Sequence, residues 1–174
     1  MQAALRRSGA DPARGPAKRH AVPKPKYWLF KSEPQSYGID HLERDGRTEW
    51  SGVRNYQARN LMQAMRVGDQ AFFYHSNTAQ PGIIGVCEVV AAAHPDSTQF
   101  DPKSDYYDAK SPRDEPRWWC VDVGFVRRFP RLLALDELRT IRKLGAMLLL
   151  RKGQRLSVQP VTAAEWNIIT KLAG

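Results

Sequence analysis

Two apolar runs, Gln70–His75 and Ile83–Ala91, stand either side of a short polar loop, Asn77–Gly82, that contains Pro81. Both runs are strand-sized, and a loop this short lets them pair only antiparallel, as a hairpin. Three more runs read as strands: Tyr27–Phe30, Trp118–Val126 and Arg155–Val161. In the second of these, Trp119, Val121, Val123 and Phe125 point one way, while Cys120, Asp122 and Gly124 point the other. Between the strands lie helical stretches. One begins near Gly38 and runs from Ile39. Another spans Tyr56–Met65, with Tyr56, Leu61, Met62 and Met65 on one face. Leu135–Ile141 and Leu144–Leu150 follow, the latter stopped by Gly153. Thr162 and Glu165 form a capping box that opens a last helix, with Trp166, Ile169 and Leu172 as its apolar face. Strands and helices do not strictly alternate and no repeat is present. The pattern therefore excludes a doubly wound parallel sheet and predicts an α+β fold, a small mixed β-barrel flanked by helices.

The chain has 174 residues and a formal charge of +9. Seven basic residues in positions 1–26 face only Asp11, so that stretch holds +6 of the total and residues 27–174 hold +3. A tail rich in Pro, Ala and Arg buries too little apolar surface to offset its ordering entropy. Residues 1–26 are therefore expected to be a disordered basic tail, and residues 27–174 a single domain. No apolar run reaches the roughly 18 residues of a membrane span, and the start lacks a secretory core, so no membrane partner is expected. Two cysteines, Cys87 and Cys120, sit in strand-like runs and read as buried thiols. The four histidines show no ligand spacing. No metal and no cofactor is expected.

Motifs for catalysis are missing. The chain has no phosphate-cradling GxxxxGK[ST], no HExxH, no deaminase pattern and no GxSxG elbow. Gly82-Ile83-Ile84-Gly85 spells GxxG, but its apolar middle reads as the start of a strand. What the chain does have is crowding of polar and aromatic side chains at strand ends. Lys31-Ser32, Trp50-Ser51 with Val53 and Asn55, Tyr74-His75-Ser76-Asn77, Tyr106 in the long loop 94–117, and Ser157 recur there. If these ends converge, they make a concave site that holds a small planar ligand. Trp50 reads as its stacking wall. As a wall with little core burial, Trp50 would be replaceable by Ala with the melting temperature nearly intact. Arg54, Arg59, Arg151, Lys152 and Arg155 are the candidate phosphate contacts, and no catalytic residue is assigned.

The segments YWLFKSEP, WSGVRNYQARN, GDQAFFYHSN, PGIIGVCEV, PDSTQFD, YYDAKS, PRWWCVDV and LLRKGQRLSVQPVT, in this order, resemble the signature segments of the EVE domain, a family of the PUA-like superfamily related to YTH domains. The resemblance runs from Tyr27 to about Leu172. It implies a mixed β-barrel with surrounding helices. By similarity to YTH readers, Trp50-Ser51 would be a cage aromatic and its neighbour. A second cage Trp has no counterpart between Ser76 and Gly85, and EVE domains are associated with modified cytosines in DNA. The resemblance therefore implies a non-enzymatic reader of 5-methylcytosine or 5-hydroxymethylcytosine, flipped out of DNA, with DNA preferred over RNA and the chain acting as a monomer. The setting is nuclear for a eukaryotic source and cytoplasmic for a bacterial one. Two alternatives stand beside it: a modified-RNA module of YTH or PUA type, and an ASCH-like hydrolase acting on a nucleoside with Lys31 or His75 as base.

Overall fold

The computed structural model describes residues 24–174. The tail expected over residues 1–26 thus lies mostly outside the described residues. Its last member, Lys26, is already tied into the fold. The Lys26 backbone N–H donates to Asp69 Oδ1 at 2.9 Å, and its carbonyl accepts from Gln70 N at 3.1 Å.

Six strands make one sheet: β1 Tyr27–Ser32, β2 Arg47–Glu49, β3 Gln70–His75, β4 Gly82–Pro95, β5 Trp119–Ala134 and β6 Val158–Val161. Their order is β2-β5-β4-β3-β1-β6. The expected hairpin is β3–β4. Strands β1 and β3 pair parallel, and β6 pairs antiparallel to β1. The helices are α1 Pro34–Tyr37, α2 Ile39–Asp45, α3 Tyr56–Gln63, α4 Leu135–Thr140 and α5 Ala163–Ala173. The outer strands β2 and β6 do not bond to each other. Helix α3 instead packs against both β5 and β6 and fills the space between the two sides of the sheet. A helix, rather than a last pair of strands, completes the barrel.

Both faces of the sheet are covered, which explains the unbroken apolar run at β1. Trp28, Phe30, Ala71 and Phe73 point into one core with Met62, Val121 and Val123. Leu29, Phe72 and Tyr74 point into the other, under α4 and α5. There Trp166 stacks on Phe72 at 4.2 Å and on Tyr27 at 4.5 Å between ring centroids. At the turn before β3, the buried Asp69 carboxylate accepts from the Trp28 indole at 3.0 Å.

Several expectations change. In α3 the buried residues are Ala58 and Met62, with Met65 just beyond; Tyr56 is exposed and stacks on Trp118 at 4.9 Å. In α5 the buried positions are Trp166, Ile169 and Ala173, with Leu172 on the exposed side. Leu144–Leu150 is two 3-10 turns, Arg142–Leu144 and Leu148–Leu150, rather than a helix. Strand β5 runs straight through Pro130. Between Ile83 and Gly85 the β4–β5 register shifts, pairing them with Leu133 and Arg128, so Pro130 sits in a bulge where no ladder N–H is required.

Candidate functional site

The sheet order gathers three chain ends. Parallel pairing sets the C-terminal ends of β1 and β3 side by side, and antiparallel β6 brings its leading segment to the same place. Lys31 N donates to Ser157 O at 2.8 Å, and Ser76 N donates to Ser32 O at 2.9 Å. The loop after β2 and Tyr106 close over these ends. The result is a cavity of about 960 Å³, near the upper end of the roughly 300–1,000 Å³ typical of ligand clefts.

Its lining includes Lys31, Ser32, Trp50, Ser51, Val53, Asn55, Ser76, Asn77, Tyr106 and Ser157, with Arg54 and Arg155. Tyr74 and His75 are elsewhere. Tyr74 lies one residue out of phase with Phe73, so strand alternation turns it into the opposite core, where it is buried. His75 is on the correct face, but the start of α2 fills the space in front of it. Its Nε2 accepts from Ile39 N at 3.1 Å, and burial keeps the ring below the ordinary histidine value.

Trp50 has two roles. It is buried to 8% exposure, packing on Phe30 at 4.9 Å and edge-on against Phe73 at 5.5 Å, while it also lines the cavity. It is a core residue with one part of its ring showing, so replacement by Ala cannot be neutral for stability. The amide of Asn55 is half committed: Oδ1 caps α3 by accepting from Ala58 N at 2.9 Å. The Ser32 hydroxyl donates to Tyr37 O at 2.7 Å, leaving its oxygen to accept. The Lys31 ammonium donates to Gln154 O at 3.1 Å, and burial pushes its pKa below the ordinary lysine value. Asn77 holds a left-handed backbone, φ 48°, at the cavity edge, a conformation that Asn tolerates better than most residues.

The candidate phosphate contacts divide. Arg155 lines the cavity, and Arg151 and Lys152 are exposed in the turn that leads to it. Arg54 is committed to the protein. Its guanidinium bonds to Asp96 Oδ2 at 2.8 Å, to Thr98 Oγ1 at 2.8 Å and to the Tyr106 carbonyl. Arg59 lies outside the cavity lining, donating to Arg117 O at 2.9 Å and lying over the Tyr56 ring.

Sequence reasoning missed four contributors. Glu33, between β1 and α1, Ser36, within α1, and Gln154, in the segment before β6, all line the cavity. Glu33 follows Lys31-Ser32 directly, so its place after the first strand was the available signal. The fourth, Asp96, is 1% exposed and organises the whole loop after β2. Burial would raise its carboxyl. Bonds from Thr98, from Arg54 and from the backbone N–H groups of Gly52 and Thr98 outweigh that and hold it below the ordinary carboxylate value.

Among the described residues no helix is long and apolar enough to cross a membrane. Residues 26–172 match the family model of the EVE domain. Thymocyte nuclear protein 1 of Mus musculus is 44% identical over 165 residues, covering 84% of this chain and 73% of that protein. A crystal structure of a Pseudomonas putida protein superposes with a TM-score of 0.83 at 50% identity, covering 85% of this chain and 99% of that one. The human THYN1 protein in complex with DNA containing 5-methylcytosine superposes with a TM-score of 0.81 at 41% identity, covering 85% and 97%. An ASCH protein from Zymomonas mobilis shares the fold alone, at 12% identity and a TM-score of 0.50. With the family model matching residues 26–172 and relatives at 41–50% identity beside it, this chain belongs to the EVE domain family.

Proposed function

We propose that this chain is a non-catalytic reader of modified cytosine in DNA, holding a flipped 5-methylcytosine or 5-hydroxymethylcytosine between Trp50 and Tyr106. The observation that carries the reading is the cavity itself: aromatic walls, hydroxyl and amide groups at its rim, and Arg155 at its edge. The crystallised human relative bound to 5-methylcytosine DNA supports the choice of ligand. Flipping a base costs a few kcal/mol, and stacking returns roughly 1–3 kcal/mol. Burying the 5-methyl group adds only about 0.8 kcal/mol. The balance of affinity comes from phosphate contacts, assigned to Arg155, Arg151 and Lys152, and is salt-sensitive.

Glu33 supplies the reading of the base edge. It is the carboxylate at the cavity, and cytosine presents an exocyclic N4 amine, a donor that Glu accepts. Ser32, Asn55, Ser76 and Asn77 are the remaining hydrogen-bonding candidates. The arrangement gives hydrolysis little to work with: His75 is outside the cavity, and Lys31 is bound to the Gln154 carbonyl. The compartment of action is the one that holds the DNA, and the chain binds as a monomer.

The test is a titration of methylated, hydroxymethylated and plain DNA duplexes, with matched RNA, at two salt concentrations. Tighter binding of modified DNA, weakening with salt, is expected. Equal binding of plain and modified duplexes, or a preference for the RNA, would overturn the assignment.

A further inference from the structure

A second chamber of about 260 Å³ adjoins the cavity. Ser36, Trp50 and Tyr106 line both spaces, whereas Tyr37, Thr48 and Glu49 line the chamber alone. One turn of backbone runs from one space to the other. The N–H groups of Ser36 and Tyr37 both donate to Glu33 O, at 3.0 and 2.8 Å. Helix α1 and its entry thus carry Glu33 at the cavity, Ser36 at the junction and Tyr37 in the chamber. The Tyr37 wall is fixed. Its carbonyl accepts from the Ser32 hydroxyl at 2.7 Å, its own hydroxyl donates to Asp45 Oδ2 at 3.1 Å, and its ring stacks on His41 at 5.5 Å between centroids.

Size and chemistry both bear on what the chamber accepts. A methyl group fills about the 30 Å³ share of one water molecule, and a hydroxymethyl group roughly twice that. Either would occupy a small part of the space. The lining combines hydroxyl residues, Ser36 and Thr48 among them, with the aromatic residues Tyr37, Trp50 and Tyr106. A hydroxyl both donates and accepts, so it pairs with another hydroxyl in either sense. Among the described residues no Lys, Arg or His lines the chamber, and its charged member is Glu49. A carboxylate or phosphate group there would meet a like charge with no cation to offset it. A neutral group carrying several hydroxyls meets matching partners, and its C–H faces meet aromatic rings.

The base edge leads the same way. With Glu33 at the cytosine N4 amine, C5 comes next along the base edge, as Ser36 comes next along α1. We propose that the chamber is a subsite for a sugar carried on C5 of the flipped base, so that the chain accepts glycosylated 5-hydroxymethylcytosine. The inference rests on the modified-cytosine reading of the cavity and names a larger ligand class for that same site.

The experiment titrates the full chain with duplexes that differ at one cytosine: plain, 5-methyl, glucosylated 5-hydroxymethyl and 5-carboxyl. Glucosylated DNA should bind at least as tightly as methylated DNA, and carboxylated DNA more weakly than either. Thr48→Val keeps the branched shape and removes the hydroxyl. It should weaken binding of the glucosylated duplex roughly 2- to 10-fold, the worth of one hydrogen bond, and leave the methylated duplex unchanged. The duplex series on the unmutated protein decides the matter if Thr48→Val does not fold. Glucosylated DNA bound more weakly than methylated DNA, carboxylated DNA bound as tightly as glucosylated, or a Thr48→Val variant that treats the two duplexes as the unmutated protein does would each overturn the subsite and leave the reading of the cavity standing. Equal binding of all four duplexes would overturn that reading, and the subsite with it.

Discussion

Gly52 and Tyr106 are fitted to each other: a Cβ on Gly52 would lie 2.8 Å from Tyr106 Cε2 and 2.9 Å from two more ring atoms. The glycine also holds φ +80°, a backbone region that side chains disfavour. Gly52→Ala should therefore cost about 1–2 kcal/mol in stability from the backbone alone and push the Tyr106 ring off the cavity. Modified-DNA binding should fall, and Tyr106→Ala added to Gly52→Ala should lower it no further. Chemical denaturation and binding titrations on the two single variants and the double variant check this.

Trp50 separates stability from recognition only if the right replacement is used. Trp50→Ala opens a cavity in the core beside Phe30 and Phe73 and should cost roughly 3–5 kcal/mol. Trp50→Phe keeps an aromatic in the core and should retain a folded chain. It should weaken binding of methylated DNA by at most the roughly 1–3 kcal/mol of one stacked base. Unchanged stability in Trp50→Ala, read by thermal melting, would contradict the packing described.

His75 makes stability depend on mild acid. Its folded pKa lies below the ordinary 6.5, because burial disfavours the charged ring, and the neutral Nε2 accepts the Ile39 N–H. On acidification the unfolded chain takes up the proton first. The His75 contribution is complete above pH 6.5 and is lost as the pH falls through the folded value. Melting temperature measured across mildly acidic pH should decline, and His75→Asn should flatten that part of the profile.

Glu33 should carry base identity rather than affinity. Glu33→Ala removes a negative charge from the cavity rim, so on the proposed reading binding to plain duplex should strengthen slightly. Discrimination between a cytosine-type and a thymine base at the reading position should shrink by about 1–3 kcal/mol, the worth of one good base-edge contact. Competition between two duplexes differing only at that base measures it.

Strands were legible where the period of apolar residues was enough. The hairpin β3–β4 and the alternation of β5 follow from sequence, as does the capped start of α5. The cavity was legible as a list of crowded strand ends, because parallel and antiparallel pairing bring such ends together. Side-chain allegiance was harder to read. Tyr74 sits among cavity residues in sequence, yet a one-residue phase difference turns it to the other core. Arg54 looks like a phosphate ligand by charge, but a buried carboxylate 42 residues away claims it. Asp96 could not be singled out, since its partners Gly52 and Arg54 are distant in sequence.

The bond from Lys31 N to Ser157 O has a consequence for how the protein is made. One side of the cavity comes from the first strand and the facing side from the segment that leads into the last strand. Closing a loop of that length is among the late and slow steps of folding. A nascent chain that has not yet released β6 from the ribosome has no cavity, and its β1 edge is bare and prone to pair with another chain. The cavity therefore exists only once the first strand and the segment before the last strand have both emerged and joined.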